Sequence, residues 1–122
     1  MDSPNIGVLL DTYHMNIEET SFAKAIQAVG PERLKSFHTG ENNRTAPGRG
    51  HINWDEIFSS LAKIGYRGPI VSEPFVMQGG EVGRDIHVFR DLVENPCEAV
   101  IDAEAAYLLN FERNMLKKYY AD

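Results

Sequence analysis

Ser36-Phe37-His38-Thr39-Gly40-Glu41-Asn42-Asn43-Arg44 is the stretch on which the reading of this chain turns. Leu34 to Thr39 has the length and composition of a short buried strand. It ends on an imidazole and opens into a polar loop. Two other short apolar runs repeat the arrangement. Ile6-Gly7-Val8-Leu9-Leu10 runs into Asp11, with His14 just beyond, and Ile70-Val71-Ser72 runs into Glu73. Each of three candidate strands therefore delivers one potential metal ligand at its C-terminal end.

The segments between these runs read as helices. Phe22, Ala25, Ile26 and Val29 recur at i, i+3, i+4 and i+7 behind a Thr20 or Ser21 cap, and Gly30-Pro31 stops the pattern. Asn53 caps a second helix, with Glu56 placed to close a capping box. Ile57, Phe58, Leu61 and Ile64 form its inner face, Trp54 anchors it to the sheet, and Gly65 ends it. Helical patterns resume at about 85–94. After Asn95-Pro96 a last helix is expected over about 98–119, with Tyr107, Leu108, Phe111 and Met115 on one side. Strand and helix alternate, which implies a parallel sheet with covering helices. The continuous apolar character of 6–10 suits a strand covered on both faces.

At 122 residues the chain amounts to one domain or part of one. A net charge of −6 argues against nucleic acid as a partner, since phosphate binding needs a basic patch. No apolar run approaches the length that spans a bilayer. Residues 1–5 read as a polar lead-in, and Met1-Asp2-Ser3-Pro4 lacks the character of a secretory signal. The single cysteine, Cys97, has no internal disulfide partner, so the expected setting is the reducing cytoplasm.

In parallel α/β barrels the loops after the strands meet at one rim, and active sites lie there. Asp11, His38 and Glu73 all fall at that position. Ile6, Leu34 and Ile70 are spaced to leave one crossover helix between successive strands, so neighbouring strands would bring the three side chains together. Two carboxylates and an imidazole suit Mn²⁺, Co²⁺ or Mg²⁺ and admit Zn²⁺. Each residue alone has a plainer use. An aspartate after a strand also serves as a cap, and His38 could be a hydrogen-bonded core histidine. A carboxylate between Val71-Ser72 and Pro74-Phe75 is costly to bury without a partner. The long loop from Gly40 to Ile52 is of a length that is usually functional. Glu41, Glu18 and Glu19 read as solvated or loop-shaping. His51 and His87 read as surface residues, and Gly79-Gly80 as a flexible loop.

The motifs around these residues resemble one family. Leu10-Asp11-Thr12-Tyr13-His14-Met15-Asn16-Ile17-Glu18-Glu19 looks like the sixth-strand motif of the ketose 3-epimerases, the D-tagatose and D-psicose 3-epimerases. Phe37 to Arg44 with Pro47-Gly48 is similar to their seventh, and Glu73-Pro74-Phe75 with Gly79-Gly80 to their eighth. The wider group is the xylose-isomerase-like TIM barrels. The resemblance implies that residues 1–122 form a partial domain, the C-terminal three βα units of such a barrel with a long C-terminal helix. It implies that Asp11, His38 and Glu73 are three of four metal ligands, most often for Mn²⁺, with Co²⁺ or Mg²⁺ as alternatives. It implies that Glu73 is also one of two catalytic glutamates, and that His14 and Arg44 hold substrate oxygens. The implied reaction moves the proton at C3 of a ketose through an enediolate. The fourth ligand and the second glutamate belong to a fifth-strand motif that this chain does not supply.

Three functions follow as expectations. The first is a metal-dependent sugar epimerase represented by its C-terminal portion, incomplete and so expected to be weakly active or inactive by itself. The second is an inert fragment that serves as a self-associating or binding module. The third is an endonuclease of the same superfamily, disfavoured by the acidic charge. Exposed sheet edges lead to the expectation of a homo-oligomer.

Overall fold

The computed structural model describes Ser3 and residues 5–120. The polar lead-in, Ser3 and Asn5 apart, lies outside the described residues. Three strands, β1 (Val8–Asp11), β2 (Leu34–Thr39) and β3 (Ile70–Ser72), form one sheet in the order β1-β2-β3. Both pairings are parallel, with Asp11 opposite His38 and Thr39 opposite Ser72. The order of strands in sequence is thus their order in the sheet, as expected when consecutive strands lie side by side. This α/β architecture, parallel strands with covering helices, is the expected one.

Five helices accompany the sheet among the described residues. They are α1 (Thr12–Glu18), α2 (Phe22–Arg33), α3 (Trp54–Lys63), α4 (Gly80–Asp85) and α5 (Glu98–Tyr120). Helix α1 begins directly on Asp11, whose Oδ1 accepts from the His14 N–H at 3.2 Å. Ser21 caps α2, accepting from the Lys24 N–H. At Gly30 the backbone takes φ +71, a left-handed conformation that breaks the helix before a last turn at 31–33. The core lies between the sheet and α2, α3 and α5. Phe37, Ile26, Ile57, Phe58 and Leu61 are fully buried there. Phe111, Met115 and Leu116 of α5 pack against them.

Three local expectations change. Asn53 accepts from the Glu56 N–H, but the Glu56 carboxylate does not return to complete a capping box. Its Oε1 instead accepts from Ser21 Oγ at 3.1 Å and the Ala23 N–H at 3.0 Å, tying α3 to the start of α2. The helix expected over about 85–94 is absent. Helix α4 closes at Asp85, and the chain folds back on the preceding loop. The Leu92 N–H donates to the Val76 carbonyl at 2.7 Å and Asp91 accepts from the Gln78 N–H at 2.8 Å. Strand β1 is not covered on both faces. Leu9 is 51% exposed, because no layer of the described residues covers that face of β1.

At the far end of the core, Lys118 Nζ and Tyr119 Oη both donate to Asp55 Oδ1 at 2.7 Å. Those bonds, Lys118 first, hold the Asp55 carboxyl below its ordinary value of 3.8. A lowered carboxyl stabilises the folded chain above its unfolded pKa, and the contribution is lost as pH falls through the lowered value. Asp55→Asn should therefore reduce the loss of urea resistance between pH 5 and acid. The effect is small, because the pair is exposed. Urea midpoints of both chains across that range check it.

Candidate metal centre

The three strand ends meet. Asp11 is the last residue of β1, His38 the penultimate residue of β2, and Glu73 follows β3 directly. One ligand atom from each lies within 4.8 Å of the other two, and all three residues are partly exposed. Among the described residues this is the one cluster of three or more such groups. His38 Nδ1 and Glu73 Oε1 are 2.6 Å apart, a bond that orients both side chains at the rim. Their side chains are 20% and 40% exposed, so an ion or a small molecule can reach them from solvent. Two carboxylates and one imidazole at this separation fit a divalent cation of intermediate to hard character.

The loop after β2 is fixed from beneath by Glu41, which is fully buried. Glu41 Oε1 accepts from the Trp54 Nε1–H at 2.6 Å and the Gly48 N–H at 2.8 Å. Its Oε2 accepts from the N–H groups of Ile52 at 3.2 Å and Asn42 at 3.3 Å. Of the two uses read for Glu41, the structure selects loop-shaping. Trp54 is held by this bond and by an edge-on contact with Phe111 at 5.8 Å, so it joins the loop to α5 as well as anchoring α3. Gly48 answers the same packing. It has φ +85, and a Cβ there would come within 2.6 Å of the Phe111 ring.

Arg44 rides on that loop with φ +71. Its guanidinium lies 3.7 Å from the centroid of the Tyr13 ring and 5.4 Å from that of Phe75, a cation–π arrangement. The Phe75 N–H donates to the Arg44 carbonyl at 2.8 Å, which joins the loops after β2 and β3. Arg44, Tyr13, Asn42 and Phe75 line an open groove of about 360 Å³, bordered on its other side by residues 86–90 and Leu92. His14 is exposed and stacks edge-on to Tyr13 at 5.2 Å. It opens onto a different groove, beside Leu9 and Glu18, so His14 and Arg44 line separate grooves although each touches Tyr13. His87 borders the Arg44 groove, and neither it nor His51 joins the metal cluster.

Sequence reasoning passed over Tyr13 and Glu112. The first stands between two residues already singled out. The second is a carboxylate inside a helix read for its apolar stripe.

An α/β sheet with a ligand cluster on the rim of its strand ends defines the class. The chain belongs to the xylose isomerase-like TIM barrel family, which it matches over residues 1–107. It is 50% identical over 117 residues to the D-psicose 3-epimerase of Ruminiclostridium cellulolyticum, covering 96% of this chain and 40% of that relative. It is 49% identical over 112 residues to the D-psicose 3-epimerase of Agrobacterium fabrum, covering 92% of this chain and 38% of that protein. The solved structure of D-psicose 3-epimerase with D-tagatose from Clostridium cellulolyticum H10 superposes with a TM-score of 0.89 at 50% identity. That superposition covers 94% of this chain and 39% of the other. The chain thus spans about two-fifths of the length of the relatives it matches. No helix among the described residues is long and apolar enough to cross a membrane.

Proposed function

We propose that this chain carries the metal-binding rim of a divalent-metal-dependent ketose 3-epimerase. The observation that carries the reading is the convergence of Asp11, His38 and Glu73 from three parallel strands. The three would hold Mn²⁺, or Co²⁺ or Mg²⁺ in its place, through two carboxylates and an imidazole. The bound ion supplies polarisation of the ketose carbonyl, which makes the neighbouring C3 proton removable. Glu73, oriented by His38, would exchange a proton with one face of C3, and inversion requires a second acid–base group on the opposite face, the role of the glutamate assigned to the fifth-strand motif. Arg44, held by two aromatic rings, donates hydrogen bonds to sugar oxygens, and the adjoining groove gives a polyol polar groups and aromatic faces together. His14 would serve the same end from the groove it shares with Asp11. The acidic charge and single exposed cysteine favour a small ketose in the cytoplasm over nucleic acid or a membrane.

A second reading has its own support. Strands β1 and β3 are both open edges, and Leu9 and Val71 are 51% and 41% exposed. Such edges favour pairing with a second copy of the chain, as a self-associating module without turnover. One experiment separates the two. The purified 122-residue chain is dialysed with Mn²⁺ and assayed for metal content, for D-psicose epimerisation and for mass by light scattering. Bound metal with turnover supports the epimerase. A metal-free oligomer without turnover supports the module.

A further inference from the structure

Helix α5 packs against the core and, through Phe111, against the loop after β2, and it also reaches the residues next to two of the three candidate ligands. Glu112 is 8% exposed. Its Oε1 accepts from Thr39 Oγ1 at 2.5 Å and from Ser72 Oγ at 2.7 Å. Thr39 follows His38 directly, and Ser72 directly precedes Glu73. The two hydroxyl residues are register partners across β2 and β3, and their oxygens also touch each other. Successive side chains of a strand point to opposite faces. Thr39 and Ser72 therefore turn toward the helices where His38 and Glu73 turn toward the open rim.

We infer that Glu112 is a positioning residue for the metal centre, fixing the spacing of His38 and Glu73 by clamping their immediate neighbours through one shared carboxylate oxygen. The inference rests on the metal-binding reading above. A carboxylate is a poor choice for packing alone. Burying one costs free energy that a leucine at the same place would not. What the carboxylate adds is direction. Two hydroxyls that would otherwise rotate among neighbouring acceptors both aim at Oε1, and the ends of β2 and β3 are pinned at one separation. Groups behind metal ligands act in this way elsewhere, and altering them costs affinity more than fold.

The test is Mn²⁺ titration of the 122-residue chain, followed by the resonance of the free ion, with melting temperature measured in parallel. Glu112→Leu keeps the volume and removes the acceptor, and should weaken Mn²⁺ about tenfold. Glu112→Gln keeps an Oε1 able to accept both hydroxyls and should bind closer to the unaltered chain than to E112L. Met115→Ala, from the same helix against the core, should lower the melting temperature and leave the affinity unchanged. Equal affinity in E112L and the unaltered chain overturns the inference. So does a loss in M115A as large as that in E112L, which would make the effect one of general stability. If E112L does not fold, Thr39→Val and Ser72→Ala each remove one donor. Weakened Mn²⁺ binding in both supports the clamp, and full affinity in either overturns it. An unaltered chain with no saturable Mn²⁺ binding removes the metal reading itself. That failure is distinct from one in which the unaltered chain binds and E112L binds equally well.

Discussion

Glu41→Ala should destabilise the chain by about 3 kcal/mol or more, the largest loss expected of any single polar substitution here. The carboxylate it removes accepts four hydrogen bonds in a site without solvent exposure. Three of the donors are backbone N–H groups of the loop and one is the Trp54 indole. Each donor left without a partner in a buried site costs about 1–3 kcal/mol, and water entering the cavity recovers part of the sum. At this chain length a loss of 3 kcal/mol corresponds to a fall of roughly 10 °C in melting temperature. Thermal and urea unfolding check the magnitude. The conservative change is the sharper test. Glu41 uses both oxygens, each with two donors, whereas Gln offers one oxygen and one NH₂ group. Glu41→Gln turns its NH₂ toward two N–H donors and should destabilise nearly as much as E41A. Glu112 uses a single oxygen, so glutamine should be accepted there. Two buried glutamates in one domain thus answer the same substitution in opposite ways.

The contrast between those glutamates also marks what the amino-acid order could disclose. Leu34–Thr39 reads as a strand and is one to the residue, because six residues between a helix stop and a glycine, with Leu34 and Phe37 to bury, have the length of a strand and are too short for a helix. The convergence of Asp11, His38 and Glu73 was legible because a repeated βα unit puts strand ends on one rim whatever the details of its loops. Glu112 was hidden because its partners are 73 and 40 residues away, and nothing in the periodicity of α5 distinguishes an inward carboxylate from a solvated one. The segment after Asp85 has the local pattern of a helix, but bonds from Leu92 to Val76 and from Gln78 to Asp91 override it. Glu56 carries the capping-box spacing, yet Ser21 and Ala23 of the neighbouring helix capture its carboxylate. In each case a tertiary partner outcompetes a local one. Local rules name the candidates for such bonds without ranking them.

His38→Ala should separate function from fold in the reverse sense to Glu41→Ala. Mn²⁺ affinity should fall roughly 100-fold or more, beyond the 10–100-fold that changes behind the ligands cost, because a ligand atom itself is lost. Two carboxylates would remain, and they repel each other across the few ångströms that separate them. The stability of the metal-free chain should change by less than about 1 kcal/mol. The His38–Glu73 bond lies at a partly exposed rim, and Glu73, with 40% of its side chain open to solvent, is rehydrated when the imidazole goes. The ring does not contribute to the fully buried core, which lies behind it at Phe37. His51→Ala serves as the control, an exposed histidine outside the cluster whose loss should leave Mn²⁺ binding intact. Isothermal titration with Mn²⁺, alongside urea unfolding in the presence of a chelator, yields both numbers. A chain in which H38A binds Mn²⁺ as tightly as the unaltered protein has its metal elsewhere, and the convergence of the three strand ends would then need another explanation. If affinity and metal-free stability fall together, His38 is holding the sheet ends in place. If affinity alone collapses, the side chain is there for the ion.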